Sequence, residues 1–293
     1  MIQDIFPLKF DNQFYDRKPQ KESFVFGFKE RNIYLKQEGE NAELLTYGKL
    51  EDVCTREDKP MPEMVYLFSI DDKLYFLADL DRIKIPGYQY VPLFTTRSMN
   101  PKETVMAIST AWHLQVWYRD NQYCGKCGKK ISHHKNQRMM YCKDCNNMIF
   151  PKIAPAVIVG ITRGDQILLT KYADREYKRY ALIAGFTEIG ETPEETVSRE
   201  AMEEVGVTVK NISYYKSQPW GYDSNLLMGY FCELDGSSHI DMDEEELATA
   251  EWVNYQDVPE NLEGLSLTAE MMTVFKMSRE RKHSGDRRQG VGC

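Results

Sequence analysis

The chain has 293 residues, 42% of them hydrophobic and 28% charged, with a formal net charge of -8; this allows two domains and a small third module, with real cores. So acidic a balance argues against a chain that coats nucleic acid along its whole surface. No stretch approaches the roughly 20 apolar residues of a membrane span, and the opening MIQDIFPLKF lacks a basic region followed by an apolar one, so the expectation is a soluble, cytoplasmic protein with no membrane partner.

Residues 1–100 alternate turn signals with β-rich runs, such as Phe24 to Leu35 and a hairpin over Met64 to Leu80 turning at Asp71-Asp72. They read as an N-terminal mixed α/β domain without a catalytic constellation. From Pro101 to about Asp120, Val105, Ile108, Trp112 and Val116 recur at helical spacing with a polar face opposite. His113 on that helix reads as a packed residue rather than a ligand.

The helix leads into two cysteine pairs, Cys124/Cys127 and Cys142/Cys145, each Cys-x-x-Cys. Two such knuckles in a short Gly-Lys-rich segment are the pattern of a four-cysteine zinc ribbon, a closed structural Zn2+ site. A redox role would call for one reactive pair on a thioredoxin-like unit. His133 and His134 are expected as exposed turn residues, Cys54 and Cys232 as small buried apolar residues, and Cys293 is unpaired in sequence. The ribbon is locally basic, through Lys126, Lys129, Lys130, Lys135, Arg138 and Lys143 against Asp144. Such charge either solubilises a small module or docks a phosphate backbone.

After Pro151 the pattern changes to continuous apolar strands: Ala156 to Thr162, a turn at Arg163-Gly164-Asp165, Ile167 to Thr170, Tyr180 to Ala184, then Thr208 to Lys216 and Leu226 to Leu234. A last helix is expected over Ser266 to Ser278, and a disordered tail over 280–293. Strand, helix, strands, helix is the order of a helix-sheet-helix α/β sandwich, here over 151–279, with 101–150 forming the preceding helix and ribbon.

Between those strands lies GFTEIGETPEETVSREAMEEVGV, Gly185 to Val207. Thr192-Pro193 with Glu195 is a capping box with proline at the first helical position, and Gly206 ends the helix. Glu200, Glu203 and Glu204 stand at i, i+3 and i+4, so three carboxylates share one face. Such a cluster is either a solvated acidic face or a site for a hard divalent cation, Mg2+ or Mn2+, bound by few carboxylates plus substrate phosphates. The fixed positions of Gly185, Glu191, Arg199, Glu200, Glu203, Glu204 and Gly206 are those of the Nudix box.

With the ribbon, this box and Ser217-Gln218-Pro219-Trp220, the chain resembles the NADH pyrophosphatase branch of the Nudix hydrolases over about residues 100–275. The resemblance implies metal-dependent hydrolysis of the NAD(H) pyrophosphate to AMP and nicotinamide mononucleotide, with removal of NAD caps from RNA as a further activity, in a homodimer. It further implies divalent-metal ligands at Ala184 (through its carbonyl), Glu200, Glu204 and Glu246. Glu203 or Glu204 would act as base, and Arg199 would hold a carboxylate such as Glu191. Substrate contacts carried over are Phe186, Ser217, Gln218, Pro219, Trp220, Tyr222, Ser224 and Thr268, with Phe150, Gln137 and Arg97 on looser matches. Where the family reads SQPWPFPxS this chain reads SQPWGYDSN, so two prolines become Gly221 and Asp223. That departure favours, as an alternative, a Nudix enzyme for another nucleoside diphosphate such as ADP-ribose. A nucleic-acid-binding protein with an idle Nudix fold would show eroded glutamates, and none is eroded.

Overall fold

A computed structural model describes residues 1–173, 179–260 and 264–284. The chain divides into two compact units, one of Ile2–Ile153 with Trp220–Ser224, the other of Met1, Ala154–Pro219 and the residues from Asn225 on.

The N-terminal unit contains strands β1 (Phe10–Asp11), β2 (Phe24–Phe26), β3 (Phe28–Lys29), β4 (Asn32–Glu38), β5 (Asn41–Glu43) and β6 (Leu45–Thr46), helix α1 (Tyr47–Arg56), then β7 (Val65–Ile70), β8 (Lys73–Leu77) and β9 (Gln89–Pro92). Among the described residues they form a sheet of order β1-β7-β8-β2-β6 and a second in which β4 carries β3, β5 and β9. The β7–β8 hairpin turns at Asp71, whose φ of 51° suits the left-handed position of a tight turn. α1 has no apolar run long enough to stand out in the sequence; its start is fixed by the Thr46 side chain accepting from Lys49 N at 3.4 Å.

Helix α2 (Lys102–Asp120) differs from the one-sided surface helix expected. Thr104 to Ser109, Ala111, Trp112 and Leu114 are all buried, so it is enclosed on most sides. Its residues share one core with Ile33, Phe68 and Tyr75 from the preceding strands, with Leu93 just after β9, and with Ile131, Met140 and Cys142 from the ribbon. Residues 1–100 and 101–150 therefore fold around common apolar contacts. The ribbon itself is a three-stranded antiparallel sheet of β10 (Ser132–His133), β11 (Met140–Tyr141) and β12 (Met148–Ile149). His133 lies in β10 rather than in a turn, its ring 4.7 Å from that of Tyr118.

The C-terminal unit is built on β13 (Ala154–Arg163), β14 (Gln166–Tyr172), β15 (Ile183–Phe186), helix α3 (Pro193–Val205), β16 (Thr208–Trp220), β17 (Asn225–Asp235), β18 (Leu247–Asn254) and helix α4 (Leu267–Ser284). The sheet order is β16-β17-β13-β14-β18 with β15 also on β13, and β13 runs parallel to β17 but antiparallel to β14 and β15. Both faces of β13 are covered, which explains its unbroken apolar run. Val157, Val159 and Ile161 pack with Val197, Ala201 and Val205 of α3, whereas Ile158 packs with Leu267, Met271 and Phe275 of α4. Strand β18 has no counterpart in the expected elements. α4 runs to Ser284, past the expected end at Ser278. The rest of the tail expected to be disordered, with Cys293, lies outside the described residues.

Candidate active site and zinc centre

Helix α3 is fixed at both ends as its sequence dictates. The Thr192 side chain accepts from Glu195 N while Glu195 returns to the Thr192 backbone, and Gly206, at φ 67°, closes the other end by donating to Ala201 and Met202. The buried stripe of the helix is Val197, Glu200, Ala201, Glu204 and Val205. Two positions that a purely structural helix would fill with Leu or Val are thus carboxylates, Glu200 at 9% and Glu204 at 3% exposure. Burying carboxylates is costly unless cations or hydrogen bonds meet them.

Arg199 is one such cation. Its Nε and Nη2 grip both oxygens of Glu191 at 2.6 and 3.1 Å, Nη1 donates to Glu200 and to Glu203 at 2.7 Å each, and Nη2 also donates to the Phe186 carbonyl at 2.8 Å. The guanidinium, with the Glu188 amide, holds the Glu191 carboxyl down at about 2. Glu200 moves the other way. Burial raises its pKa, and the charges of Glu203 and Glu246 add to this against the pull of Arg199. Glu204 Oε1 accepts from Ala184 N of β15 at 3.4 Å. Gly185 is required by close approach, since a Cβ there would lie 1.9 Å from the Glu200 carboxylate.

Glu203 is exposed, and Glu246 is exposed in the turn before β18. Arg199 stands between Glu200 and Glu203, and among the described residues no carboxylates are gathered as closely as the four cysteines are. The donors nonetheless suit a hard divalent cation: all are oxygens, and the like charges that push Glu200 upward are what such an ion would relieve.

The downstream residues divide. Phe186 is 55% exposed, free to offer a ring face. Ser217 lies on β16, its Oγ accepting from Tyr214 at 3.0 Å, and Pro219 is exposed. Gln218 is fully buried and spends its amide on the backbone at the start of α4, donating to Leu265 O and accepting from Leu267 N, both at 2.7 Å. Thr268 is half-buried in the first turn of α4. Tyr222 is 4% exposed, its hydroxyl 3.0 Å from Thr96 Oγ1 and its carbonyl accepting from Trp112 Nε1. Gln218 and Tyr222 are both enclosed by protein and hold their own units together.

Trp220 and Asp223 belong to the N-terminal unit. Trp220 Nε1 donates to Asp223 Oδ2 at 3.1 Å, Arg31 reaches Asp223 Oδ1 at 3.4 Å, and Arg97 stacks between the rings of Phe94 and Trp220, 4.9 Å from each. Asp223 thus ties down the indole where the family has proline. Ser224 takes the left-handed conformation that ends this loop. Gln137 and Phe150 are exposed in the ribbon region. The roles of Arg31 and Thr96 had no signal in the sequence, because their partners lie more than 100 residues away.

In the ribbon, the four sulfurs lie within 4.8 Å of one another, with Cys124–Cys145 and Cys127–Cys142 at 3.5 Å. A tetrahedron of 2.3 Å zinc–sulfur bonds has edges of about 3.8 Å, so the set fits one Zn2+. The knuckles are pinned by Gly128 N to Cys124 O at 2.8 Å and Cys142 N to Asn147 O at 2.9 Å, and Asn147 Nδ2 points at Cys124 Sγ, 3.4 Å away. Of the six basic residues, Arg138 turns inward to Asn12 Oδ1 and Leu67 O, and Lys129 is paired with Asp144 at 2.6 Å. Lys126, Lys130, Lys135 and Lys143 are exposed, as is the paired Lys129.

Residues 152–273 match the NUDIX domain model and residues 119–150 the NADH pyrophosphatase zinc ribbon domain model. Residues 152–273 are therefore a Nudix domain, by the same helix and glutamates just described. The ribbon ahead of it is the zinc ribbon domain found in NADH pyrophosphatases. The chain is 40% identical over 146 residues to the NAD-capped RNA hydrolase NudC of Photorhabdus laumondii and 41% identical to that of Escherichia coli, each match covering 50% of this chain and 56% of the relative. The chain thus spans little more than half the length of these relatives. A crystal structure of a NUDIX hydrolase from Nitrosomonas europaea aligns with 56% of this chain and 93% of its own, at 19% identity and a TM-score of 0.44, which adds nothing to the assignment. No helix among the described residues is long and apolar enough to cross a membrane.

Proposed function

We propose that this chain hydrolyses the pyrophosphate of NAD(H) to AMP and nicotinamide mononucleotide, and removes NAD caps from RNA by the same reaction. The observation that carries the reading is the placement of Glu200 and Glu204 on the buried stripe of α3 beside the Arg199 clamp. No packing need explains two buried carboxylates there, whereas a metal-bound diphosphate does. Glu200, Glu204, Glu246 and the Ala184 carbonyl would hold Mg2+ or Mn2+, which when bound supply Lewis-acid neutralisation of phosphoryl oxygens and an activated water. Arg199 fixes the carboxylates in orientation through Glu191, Glu200 and Glu203. Glu203 or Glu204 takes the proton of the attacking water, and Phe186 offers an exposed ring on which a base can stack. Relatives named as NAD-capped RNA hydrolases support the same substrate class. A cytoplasmic homodimer completes the proposal.

A second reading, hydrolysis of another nucleoside diphosphate such as ADP-ribose, is favoured by one observation: Asp223, bound by Arg31 and Trp220, puts a carboxylate where the family has proline. A panel of NADH, NAD, ADP-ribose and NAD-capped RNA with Mg2+ or Mn2+ separates the two. NADH or NAD-capped RNA should have the highest kcat/KM, and preference for ADP-ribose would overturn the first reading.

A further inference from the structure

The C-terminal unit contains a cavity of about 560 Å³ lined by Arg163, Lys210, Glu233 and Arg279, within the size range of small-molecule sites. The cavity lies away from the glutamate cluster. Ala184 pairs with Ile158 on β13, and Arg163 is five residues further along the same strand, about 17 Å at strand rise.

Three cationic groups reach it from three elements. Arg163, at the end of β13, is held 4.8 Å above the Trp252 ring, and its Nε and Nη2 donate to Gln166 Oε1 at 3.1 and 2.6 Å. Arg279 comes from α4, its guanidinium 5.3 Å from the Phe275 ring and its Nε buried with no acceptor. Lys210 comes from β16 and is paired with Asp235 at 2.9 Å. The carboxylate on the wall, Glu233, accepts from Asn211 Nδ2 at 3.0 Å. Gly164 and Gly236, at φ 59° and 92°, turn the chain at the rim without adding a side chain.

We propose that this cavity is a second site, binding a small phosphate-bearing anion. Guanidinium and ammonium groups lining one cavity suit an anion with several oxygens around one phosphorus, since a phosphoryl group can accept from more than one of them. The aromatic rings under Arg163 and Arg279 restrict both guanidinium groups before any ligand arrives, which lowers the ordering cost of binding. The site is independent of the reaction proposed above and uses none of its residues.

The test is calorimetric titration of the full-length, zinc-loaded protein with no added divalent cation, using inorganic phosphate, pyrophosphate and AMP as separate probes. Wild type should bind at least one of them with a Kd below about 1 mM. AMP bound more tightly than both inorganic phosphate and pyrophosphate identifies a nucleotide site, and either of those bound more tightly than AMP a free-phosphate site. Arg279→Gln and Lys210→Gln should each weaken binding about tenfold, and Glu233→Gln should strengthen it by removing a repulsive charge. NADH turnover of all three variants should match wild type. Absence of binding to wild type, equal affinity in wild type and Arg279→Gln, or weaker binding by Glu233→Gln would each overturn the proposal. Glu233→Gln keeps the test decisive if loss of an arginine disturbs the fold.

Discussion

Arg199 grips Glu191 with two nitrogens and Glu200 and Glu203 with a third, so single changes around it should separate orientation from chemistry. Glu204→Gln keeps side-chain shape and removes charge. It should lower kcat by about 10² to 10⁴-fold with unchanged zinc content, and retention of more than about a tenth of wild-type turnover at saturating metal would contradict the role given to it. Gly185→Ala puts a methyl where the Glu200 carboxylate now lies, 1.9 Å away. Divalent-metal affinity, read by titrating Mn2+, should fall by about 10- to 100-fold, the usual effect of disturbing the support of a metal ligand. Glu191 carries a pH signature. Its pKa falls from 4.5 to about 2 in the fold, chiefly through Arg199; its contribution to stability is therefore complete above 4.5 and lost as pH falls toward 2. A thermal-melt series should show a shallower acid loss of Tm for Glu191→Gln than for wild type.

At the scale of elements, what the sequence discloses is what is local. The α3 boundaries follow from Thr192, Pro193, Glu195 and Gly206 within one short stretch, and the cysteine knuckles from their spacing. Thr192→Ala should cost about 1 kcal/mol, a Tm fall of about 2–4 °C, because one N-terminal amide loses its acceptor. The shortfalls are non-local. Tyr222 and Gln218 read as substrate contacts from their motif, yet what encloses them comes from Thr96 and Trp112 in one case and from Leu265 and Leu267 in the other. Arg138 reads as surface charge until Asn12 and Leu67 turn it inward. The place of β18 is decided by seven paired residues of β14, more than 70 positions away in sequence. For the ribbon, one zinc per chain is expected by elemental analysis, and its removal should unfold residues around 121–150 while leaving the C-terminal unit's melting transition in place.

For the whole molecule, an acidic chain of net charge -8 carries exposed ribbon lysines, of which Lys126, Lys130, Lys135 and Lys143 are outside the Lys129–Asp144 pair. If they meet the RNA body, their joint replacement by Gln should slow NAD-cap removal and flatten its dependence on log salt by about 0.7 for each lost contact to a single strand. NADH, without an RNA body, should be cleaved as before, and equal loss on both substrates would show a general defect instead. The central claim is that the α3 glutamates direct water to the diphosphate of NAD(H). Its most direct measurement is mass analysis of NADH products formed in 18O-labelled water with Mg2+, by wild type and by Glu204→Gln. Wild type should give AMP and reduced nicotinamide mononucleotide, with one 18O in the phosphate of one of them, and Glu204→Gln should give almost none. Intact NADH, or release of nicotinamide with the diphosphate preserved, would contradict the account.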